Sequence, residues 1–145
     1  MITGSSRGIG RATALMLAES GCDIIINYLS NEEAAHEVAD EVEKFGQQAL
    51  LVKADVSEPA DIQQMIDGIA DAWGAIDGIV SNAAGGGFRN VLQGTPDHFD
   101  RAMHINARPL MLLAKAAQVF YNTRTTPFKF VAMSSHGSHR ALPAY

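Results

Sequence analysis

Short apolar, β-branched runs alternate along the chain with longer segments of helical periodicity. The runs at residues 23–27, 49–53, 78–81 and 128–133 predict β-strands. They are continuously apolar rather than alternating, which is typical of strands in a sheet that is covered on both faces. Strands separated by helices predict a parallel sheet, because a parallel pair needs a long crossover between its two strands.

The intervening segments carry helix patterns and helix start signals. One buried face is predicted in the third segment, formed by Ile62, Met65, Ile66, Ile69, Ala70 and Trp73. Asn31, Ser57 and Thr95 are each followed by an acidic residue or a proline, so we predict that they cap helices. A further helix is predicted over residues 95–121. The expected fold class is α/β, a doubly wound parallel sheet of Rossmann type, in one domain over residues 1–145.

Both ends of the chain look short for a complete domain. Only Met1, Ile2 and Thr3 precede the first glycine, whereas a strand usually runs about five or six residues. The chain stops at Tyr145, soon after the last predicted strand, which would leave that strand as an exposed sheet edge. We therefore expect an incomplete domain, with the N-terminal strand clipped and the C-terminal part missing. Such a piece is expected to be inactive and poorly folded by itself.

Composition and charge exclude several classes of protein. Apolar residues make up 47% of the chain and charged residues 19%, which predicts a packed core rather than disorder. The net charge is −5 and the 11 basic residues are scattered, so no nucleic-acid partner is expected. Cys22 is the only cysteine, which excludes an internal disulfide and fits a reducing cytosol. Without a secretory signal or a membrane-length apolar run, we expect a cytoplasmic protein with no membrane partner.

A glycine-rich turn, Gly4-Ser-Ser-Arg-Gly8-Ile-Gly10, lies between the short first strand and a helix that begins near Gly8. Glycine lets the backbone turn sharply and approach a pyrophosphate, and the helix N-terminus offers unpaired N–H groups and partial positive charge. The strand–turn–helix context favours a dinucleotide site over the alternative, a plain tight turn. The predicted cofactor-binding residues here are Gly4, Ser6, Arg7, Gly8, Ile9 and Gly10.

The spacing Thr3-Gly4-x3-Gly8-x-Gly10 differs from the usual dinucleotide fingerprint and resembles the short-chain dehydrogenase/reductase family. The resemblance continues along essentially the whole chain. Asp55-Val56 follows the third strand, where family members hold the adenine ring. Ser81-Asn82-Ala83-Ala84-Gly85 follows the fourth strand, where the family has Asn-Asn-Ala-Gly. In the family this loop shapes the cofactor cleft and fixes the central strand, so Asp55, Val56, Asn82, Ala83, Ala84 and Gly85 are also expected to bind cofactor.

The choice of dinucleotide is predicted from the end of the strand at residues 23–27, which is the second strand when the short strand at residues 1–3 is counted as the first. An acidic residue there would bond the ribose 2′-hydroxyl of NAD, whereas a basic group nearby accommodates the 2′-phosphate of NADP. The strand ends Asn27-Tyr28-Leu29-Ser30, without an acid, and Arg7 lies in the glycine turn. We therefore expect NADP(H), with NAD less favoured and with Asn27 and Tyr28 at the cofactor. The alternatives are that Arg7 is only a solvated helix-start residue and that Glu32 and Glu33 favour NAD.

The resemblance also implies the catalytic groups. Asn106, in His104-Ile105-Asn106-Ala107, matches the family's active-site Asn, and Ser135 and Tyr145 match its Ser and Tyr. In the family the Tyr hydroxyl transfers the substrate proton, the Ser hydroxyl bonds the substrate oxygen, and the Asn orders a water of the proton relay. A phenol has a pKa near 10, which family members lower with a Lys a few residues later and the nicotinamide ribose. The alternatives are that Ser135 merely caps the loop after the last strand and that Tyr145 is a surface ring.

Tyr145 follows Ser135 by only ten residues, a shorter interval than in most ketoreductases of the family. This resembles the branch called enoyl-acyl carrier protein reductase III, which has Tyr-x6-Lys, and implies reduction of a trans-2-enoyl thioester. A 3-oxoacyl thioester or small-carbonyl ketoreductase, with Lys after three intervening residues, is the alternative enzyme. A non-catalytic dinucleotide-binding protein is the alternative of another class. The implied partners are a small-molecule or acyl-thioester substrate, acyl carrier protein, and a second copy that pairs through the helix at 95–121.

The histidines do not predict a metal site. Zinc needs three or four convergent ligands, and His136-x-x-His139 supplies two on a loop of unknown shape, with His104 elsewhere. His36 and His98 fall on predicted helix surfaces and are assigned no specific role. No metal is expected.

Overall fold

The computed structural model describes residues 1–87, 89–121 and 127–140. The strands are β1 (Ile24–Tyr28), β2 (Ala49–Lys53), β3 (Gly78–Ser81) and β4 (Lys129–Ala132). The α-helices are α1 (Gly8–Glu19), α2 (Glu32–Lys44), α3 (Pro59–Trp73), α4 (Pro96–Asn106), α5 (Arg108–Ala116) and α6 (Gln118–Tyr121). Two 3₁₀ turns lie at Val91–Gln93 and His136–Ser138.

The strands form a parallel sheet around a short N-terminal segment. β1 pairs with β2, with Ile24 opposite Ala49, and β3 pairs with β4, with Gly78 opposite Lys129. Ile2 bridges in parallel to Ile26 of β1 and to Val80 of β3. The first residues therefore lie at the centre of the sheet, in the order β2–β1–Ile2–β3–β4. This confirms the predicted doubly wound α/β fold.

The core lies on both faces of the sheet. Ile25 of β1 packs on one side with α3, α5 and α6, in a cluster that includes Ile66, Leu113 and Phe120. Ile24 and Ile26 point to the other side, where they pack with α1 and α2. Successive residues of a strand face opposite sides, so a strand buried on both sides is apolar along most of its length, and a polar residue within it, such as Asn27 of β1, needs hydrogen-bond partners.

The strand predictions differ from the structure mainly at the sheet edge. β2 and β3 match their predicted bounds, and β1 begins and ends one residue later than predicted. β4 is shorter than the predicted run at 128–133 and is not buried on both faces, since Lys129, Val131 and Ala132 are exposed. In the described part of the chain β4 has a partner strand on one side only, which leaves this edge open.

Helix starts follow the predictions in two cases and differ in one. The Asn31 side chain accepts from the Ala34 N–H at 3.0 Å, and Thr95 forms a capping box with His98. His98 thus has a specific role that the prediction missed, because its Nδ1 accepts from the Thr95 N–H at 3.1 Å. Ser57 does not cap α3: the N-cap is Glu58, which makes no side-chain cap bond. The reason is local, since the Ser57 N–H donates to the Asp55 carboxylate at 2.8 Å and places Ser57 in a turn.

The predicted helix over 95–121 is wrong as a single element, because it divides into α4, α5 and α6. Pro109 has no N–H, so the Ile105 carbonyl receives no helical bond from it. The Leu110 N–H, which would bond the Asn106 carbonyl in a continuous helix, donates to Ala107 O instead at 3.2 Å. The break therefore places Asn106 at a helix end.

The predicted apolar face of α3 is confirmed. Ile62, Met65, Ile66 and Ile69 are buried, with Ala70 and Trp73 half-buried beside them. Within the described ranges, no helix has the length and apolar content needed to cross a bilayer.

Ile66→Ala is expected to reduce the free energy of unfolding by about 2–5 kcal/mol, because it leaves a cavity in the fully buried cluster between α3 and the sheet. Gln64→Ala, at an exposed position of the same helix, is the matched control and should change it by less than about 0.5 kcal/mol. Urea denaturation followed by circular dichroism measures both. Equal effects of the two variants would contradict the assignment of this face to the core.

Candidate functional site

The predicted site residues gather at the carboxyl end of the parallel strands. Gly4 follows the central segment, and Asp55, Asn82 and Ser135 follow β2, β3 and β4. The Met133 N–H donates to Ser81 O at 2.9 Å, so the loops that follow β3 and β4 start side by side. In open α/β sheets the crevice at this end is where ligands bind.

Glycine is required in the turn at more than one position. Gly4 and Gly8 have φ of 63° and 58°, in the left-handed region that favours glycine. A Cβ at Gly10 would lie 2.4 Å from Gly4 O and 2.6 Å from Asn82 Nδ2. Gly10 thus allows the first turn of α1 to pack directly on the loops that surround it.

The N-terminus of α1 is not neutralised by its own residues. Its N-cap, Arg7, makes no side-chain cap bond, and its first turn holds no acidic residue. By contrast, α2 has an Asn31 cap with Glu32 and Glu33 in its first turn. The N–H groups and partial positive charge at the start of α1 are therefore available to an anion, as phosphate binding requires.

Asn27 holds the glycine turn from inside the sheet. Its Oδ1 accepts from the Gly4 N–H at 3.1 Å, and its Nδ2 donates to Val52 O at 3.3 Å and Ala54 O at 3.1 Å. The side chain is only 2% exposed. The polar atoms of the Asn27 side chain are therefore bonded within the chain and support the glycine turn, and the expected contact of Asn27 with the cofactor stays a prediction.

Tyr28 is likewise a core residue. It is 6% exposed and packs in the cluster that contains Ala35 and Val38. Burial, with a smaller contribution from the Glu32 carboxylate, raises the pKa of the Tyr28 hydroxyl. Leu29 and Ser30, which follow it, are the exposed residues at this strand end and were not among the predicted site residues.

Thr3 joins the central segment to the loop after β3. Its Oγ1 accepts from the N–H groups of Asn82 and Ala83, each at 2.9 Å. The Asn82 Nδ2 donates to Thr3 O at 2.9 Å and Gly4 O at 3.3 Å. This loop therefore fixes the central segment, as the resemblance implied. Thr3 appeared in the sequence motif but was given no role, since a hydroxyl that accepts two bonds cannot be recognised from spacing.

Asp55 and Val56 lie in a tightly bonded turn after β2. The Asp55 carboxylate accepts from the Ser57 N–H at 2.8 Å, and the Asp55 N–H donates to Asp61 Oδ2 at 2.9 Å. The Val56 side chain is buried in the core, so at this position the main chain is what a ligand could contact.

Asn106 is joined to the predicted cofactor loop. Its Oδ1 accepts from the Gly85 N–H at 3.0 Å, and its Nδ2 donates to Gly85 O at 2.8 Å and Ala102 O at 2.9 Å. Asn106 is the last residue of α4, beside the helix break at Pro109, and its side chain faces the loop after β3. Ala84 and Gly85 themselves are exposed.

The remaining predicted catalytic residues are Ser135 and Tyr145. The Ser135 Oγ accepts from the Gly137 N–H at 3.3 Å and caps the 3₁₀ turn His136–Ser138, which is the plainer of the two predicted roles. Tyr145 lies outside the described residues. Among the described residues, no three His, Cys, Asp or Glu side chains are grouped as a metal would require.

Gly10→Ala is expected to destabilise the fold by about 1–3 kcal/mol, because the added methyl group overlaps Gly4 O and Asn82 Nδ2. Gly68→Ala is the matched control: it lies within α3, a Cβ there meets nothing within 4 Å, and we expect about 0.5–1 kcal/mol of added stability. Chemical denaturation measures both. A neutral Gly10→Ala would show that the turn is not packed as described.

Comparison with known proteins identifies relatives of this arrangement. The chain is 40% identical over 145 residues to 1-cyclohexenylcarbonyl-CoA reductase of Streptomyces collinus, covering 100% of the chain and 51% of that protein. It is 38% identical over 146 residues to tetrahydroxynaphthalene reductase of Pyricularia oryzae, covering 100% of the chain and 50% of that protein. The chain thus spans about half the length of the curated relatives it matches.

A solved structure and a family model agree with these relatives. A short chain dehydrogenase from Burkholderia cenocepacia, in complex with NADP, superimposes with a TM-score of 0.88 at 30% identity and covers 99% of this chain and 58% of that one. The model of the family described as enoyl-(acyl carrier protein) reductase matches residues 4–145. The chain therefore belongs to the short-chain dehydrogenase/reductase family, in the group that carries this description.

Proposed function

We propose that the complete protein is an NAD(P)-dependent oxidoreductase and that this chain supplies most of its dinucleotide site. One observation carries the proposal: the Gly4–Gly10 turn, with its uncapped α1 N-terminus, is bonded directly to the Asn82–Gly85 loop that holds Asn106. The residues present fit a dinucleotide, because Gly4 and Gly10 leave no Cβ over the turn and the α1 N–H groups are available to a pyrophosphate.

Each part of the cofactor has a candidate group. The main chain of Gly4, Ser6, Gly8, Ile9 and Gly10 would hold the pyrophosphate. Asp55 and Val56 would hold the adenine, and Ala83, Ala84 and Gly85 would line the cleft toward the nicotinamide. When bound, the nicotinamide supplies the hydride that this family transfers.

NADP(H) is the proposed dinucleotide. Arg7 is exposed at the start of α1, and the exposed residues after β1, Leu29 and Ser30, carry no acid. Glu32 and Glu33 lie in the first turn of α2, where acidic residues stabilise a helix, so they need no role at a ribose. The NADP complex of the Burkholderia cenocepacia protein supports the same choice.

The catalytic proposal assigns a proton-transfer role to Tyr145 and a hydrogen bond to the substrate oxygen to Ser135. The Asn106 side chain is already bonded to Gly85 and Ala102. Its main-chain carbonyl lies at the helix break, where the Leu110 N–H donates to Ala107 O, so this carbonyl is the group we assign to a relay water.

The proposed substrate is an enoyl thioester. The Ser135–Tyr145 interval, the family description and the similarity to 1-cyclohexenylcarbonyl-CoA reductase support it. Ketone reduction is the second candidate, favoured by the similarity to tetrahydroxynaphthalene reductase.

The proposed assembly is a homo-oligomer, because α4 and α5 expose Phe99, Met103 and Met111. Acyl carrier protein is proposed as the carrier of the substrate, and the cytoplasm as the site of action.

Arg7→Met in the complete protein is expected to raise the KM for NADPH about tenfold and the KM for NADH less than twofold, because the guanidinium would pair with the 2′-phosphate. Lys44→Met, at the exposed opposite end of α2, is the matched control and should change neither constant. Steady-state kinetics with both dinucleotides measures the effect. Equal loss with NADH and NADPH would overturn the assignment of Arg7 to the 2′-phosphate.

Tyr145→Phe is expected to lower kcat at least about a hundredfold with crotonyl thioester while leaving NADPH affinity unchanged, because only the proton-transferring hydroxyl is removed. NADPH oxidation with crotonyl and acetoacetyl thioesters separates the enoyl reductase from the ketoreductase. Retained function in Tyr145→Phe would instead support a non-catalytic binder. Failure of the wild type to bind either dinucleotide would refute the whole proposal.

A further inference from the structure

Arg108, the first residue of α5, links two parts of the candidate site that are far apart in sequence. It follows Asn106 by two residues, at the helix break. Its Nη2 donates to the main-chain carbonyl of Ser57, in the turn after β2. The function proposed above gives this residue no part.

Arg108 is half-buried, and one of its polar atoms lacks a hydrogen bond. Its Nε is buried and is the one buried side-chain nitrogen or oxygen without a hydrogen-bond partner in the described ranges. No carboxylate of those ranges forms an ion pair with it. Burying an unsatisfied polar group is unfavourable, and an unbranched apolar side chain would fill the same space without that penalty. What Arg108 provides that an apolar side chain could not is the hydrogen bond to the Ser57 carbonyl.

The Ser57 carbonyl cannot be held by α3. The first carbonyl that receives a helical bond is that of Glu58, from the Ile62 N–H at 3.2 Å. The N–H of Ser57 donates back to the Asp55 carboxylate at 2.8 Å, and the N–H of Glu58 donates to Asp55 O at 3.0 Å. The turn is therefore bonded internally on its N–H side, and Arg108 holds its carbonyl side from another helix.

We propose that Arg108 is a positioning residue that keeps the Asp55–Ser57 turn in its binding conformation and ties it to the helix break that carries Asn106. The consequence for cofactor binding rests on the function proposed above, in which Asp55 and Val56 hold the adenine. The effect of Arg108 on the conformation of the turn is independent of that proposed function. Preformed loops bind more tightly because ordering them on binding is unfavourable.

The test compares Arg108→Met, Arg108→Lys and the control Lys115→Met in the complete protein. Lys115 is an exposed cation on the same helix and is outside the candidate site. Hydrogen exchange without ligand should show the Ser57 and Glu58 amides of Arg108→Met exchanging at least about tenfold faster, since their turn opens more often. Arg108→Lys, which keeps a charged donor, should show a smaller increase, and Lys115→Met none.

Ligand binding then tests the functional half. We expect Arg108→Met to raise the dissociation constants of NADPH and of ADP-ribose by the same factor, roughly tenfold, because they share the adenine half. The KM for NADPH should rise with them while kcat stays within about twofold, a division that general destabilisation would not produce. If Arg108→Met is too unstable to assay, Arg108→Lys is expected to show the same pattern more weakly.

Unchanged exchange at Ser57 and Glu58 would overturn the proposal. So would faster exchange with unaltered affinity for both ligands, or an equal loss in kcat. A wild type that binds no dinucleotide would defeat the proposed function and the cofactor consequence of this inference. Even then the exchange experiment would still decide whether Arg108 holds the turn.

Discussion

The glycine turn depends on hydrogen bonds that come from other parts of the chain. The N–H groups that a loop offers to a phosphate cannot also form hydrogen bonds within the loop. Glycine, in addition, has no side chain that could hold the loop in place. Thr3, Asn27 and Asn82 supply what is missing, and Thr3 and Asn27 are 1% and 2% exposed. Away from water such bonds are strong, and their loss leaves unsatisfied polar groups. The polar residues at the centre of this sheet therefore fix where the turn lies.

The loops after β2 and β3 are also held by hydrogen bonds from a distant part of the chain, in this case from residues beside the break between α4 and α5. One missing N–H, at Pro109, ends the helical ladder and exposes a helix end beside two strand loops. Asn106 reaches the loop after β3, and Arg108 reaches the loop after β2. A continuous helix would keep the Asn106 carbonyl within its own ladder. Residues beside the break between α4 and α5 thus hold both the loop after β2 and the loop after β3.

Much of the fold could be predicted because burial on both faces leaves a strong one-dimensional signal. The run at residues 49–53 and the spacing of Ile62, Ile66 and Ile69 needed no knowledge of what they contact. The position of the site motifs directly after predicted strands was visible in the same alternation of strands and helices. These are local patterns, and local patterns are what a sequence displays directly.

The errors arose where two local signals compete or where orientation matters. Ser57 is a residue type that favours caps, but it lies in the turn formed with Asp55, and α3 starts after Glu58, one residue later. The helical periodicity of 95–121 concealed the effect of Pro109, because proline is also favoured in a first turn. The burial of the Asn27 and Tyr28 side chains could not be predicted from their position at the end of a strand, and their expected contact with the cofactor stays a prediction. β1 ends one residue later than predicted, so Tyr28 lies within the buried strand and not after it.

The two sides of the site are built differently, and this bears on specificity. The groups that hold the glycine turn are buried and bonded within the chain, whereas Ala84, Gly85, Asn106 and Ser135 are exposed. A buried polar network tolerates few changes, because each lost partner leaves another group unsatisfied. Exposed loop residues can change without disturbing the core. The chain has similar identity, 40% and 38%, to 1-cyclohexenylcarbonyl-CoA reductase and to tetrahydroxynaphthalene reductase. Of the exposed residues, Ser135 is the one proposed to contact the substrate, so substrate choice is expected to depend on the exposed loop after β4, whereas the proposed cofactor contacts extend from the start of α1 to the loop after β3.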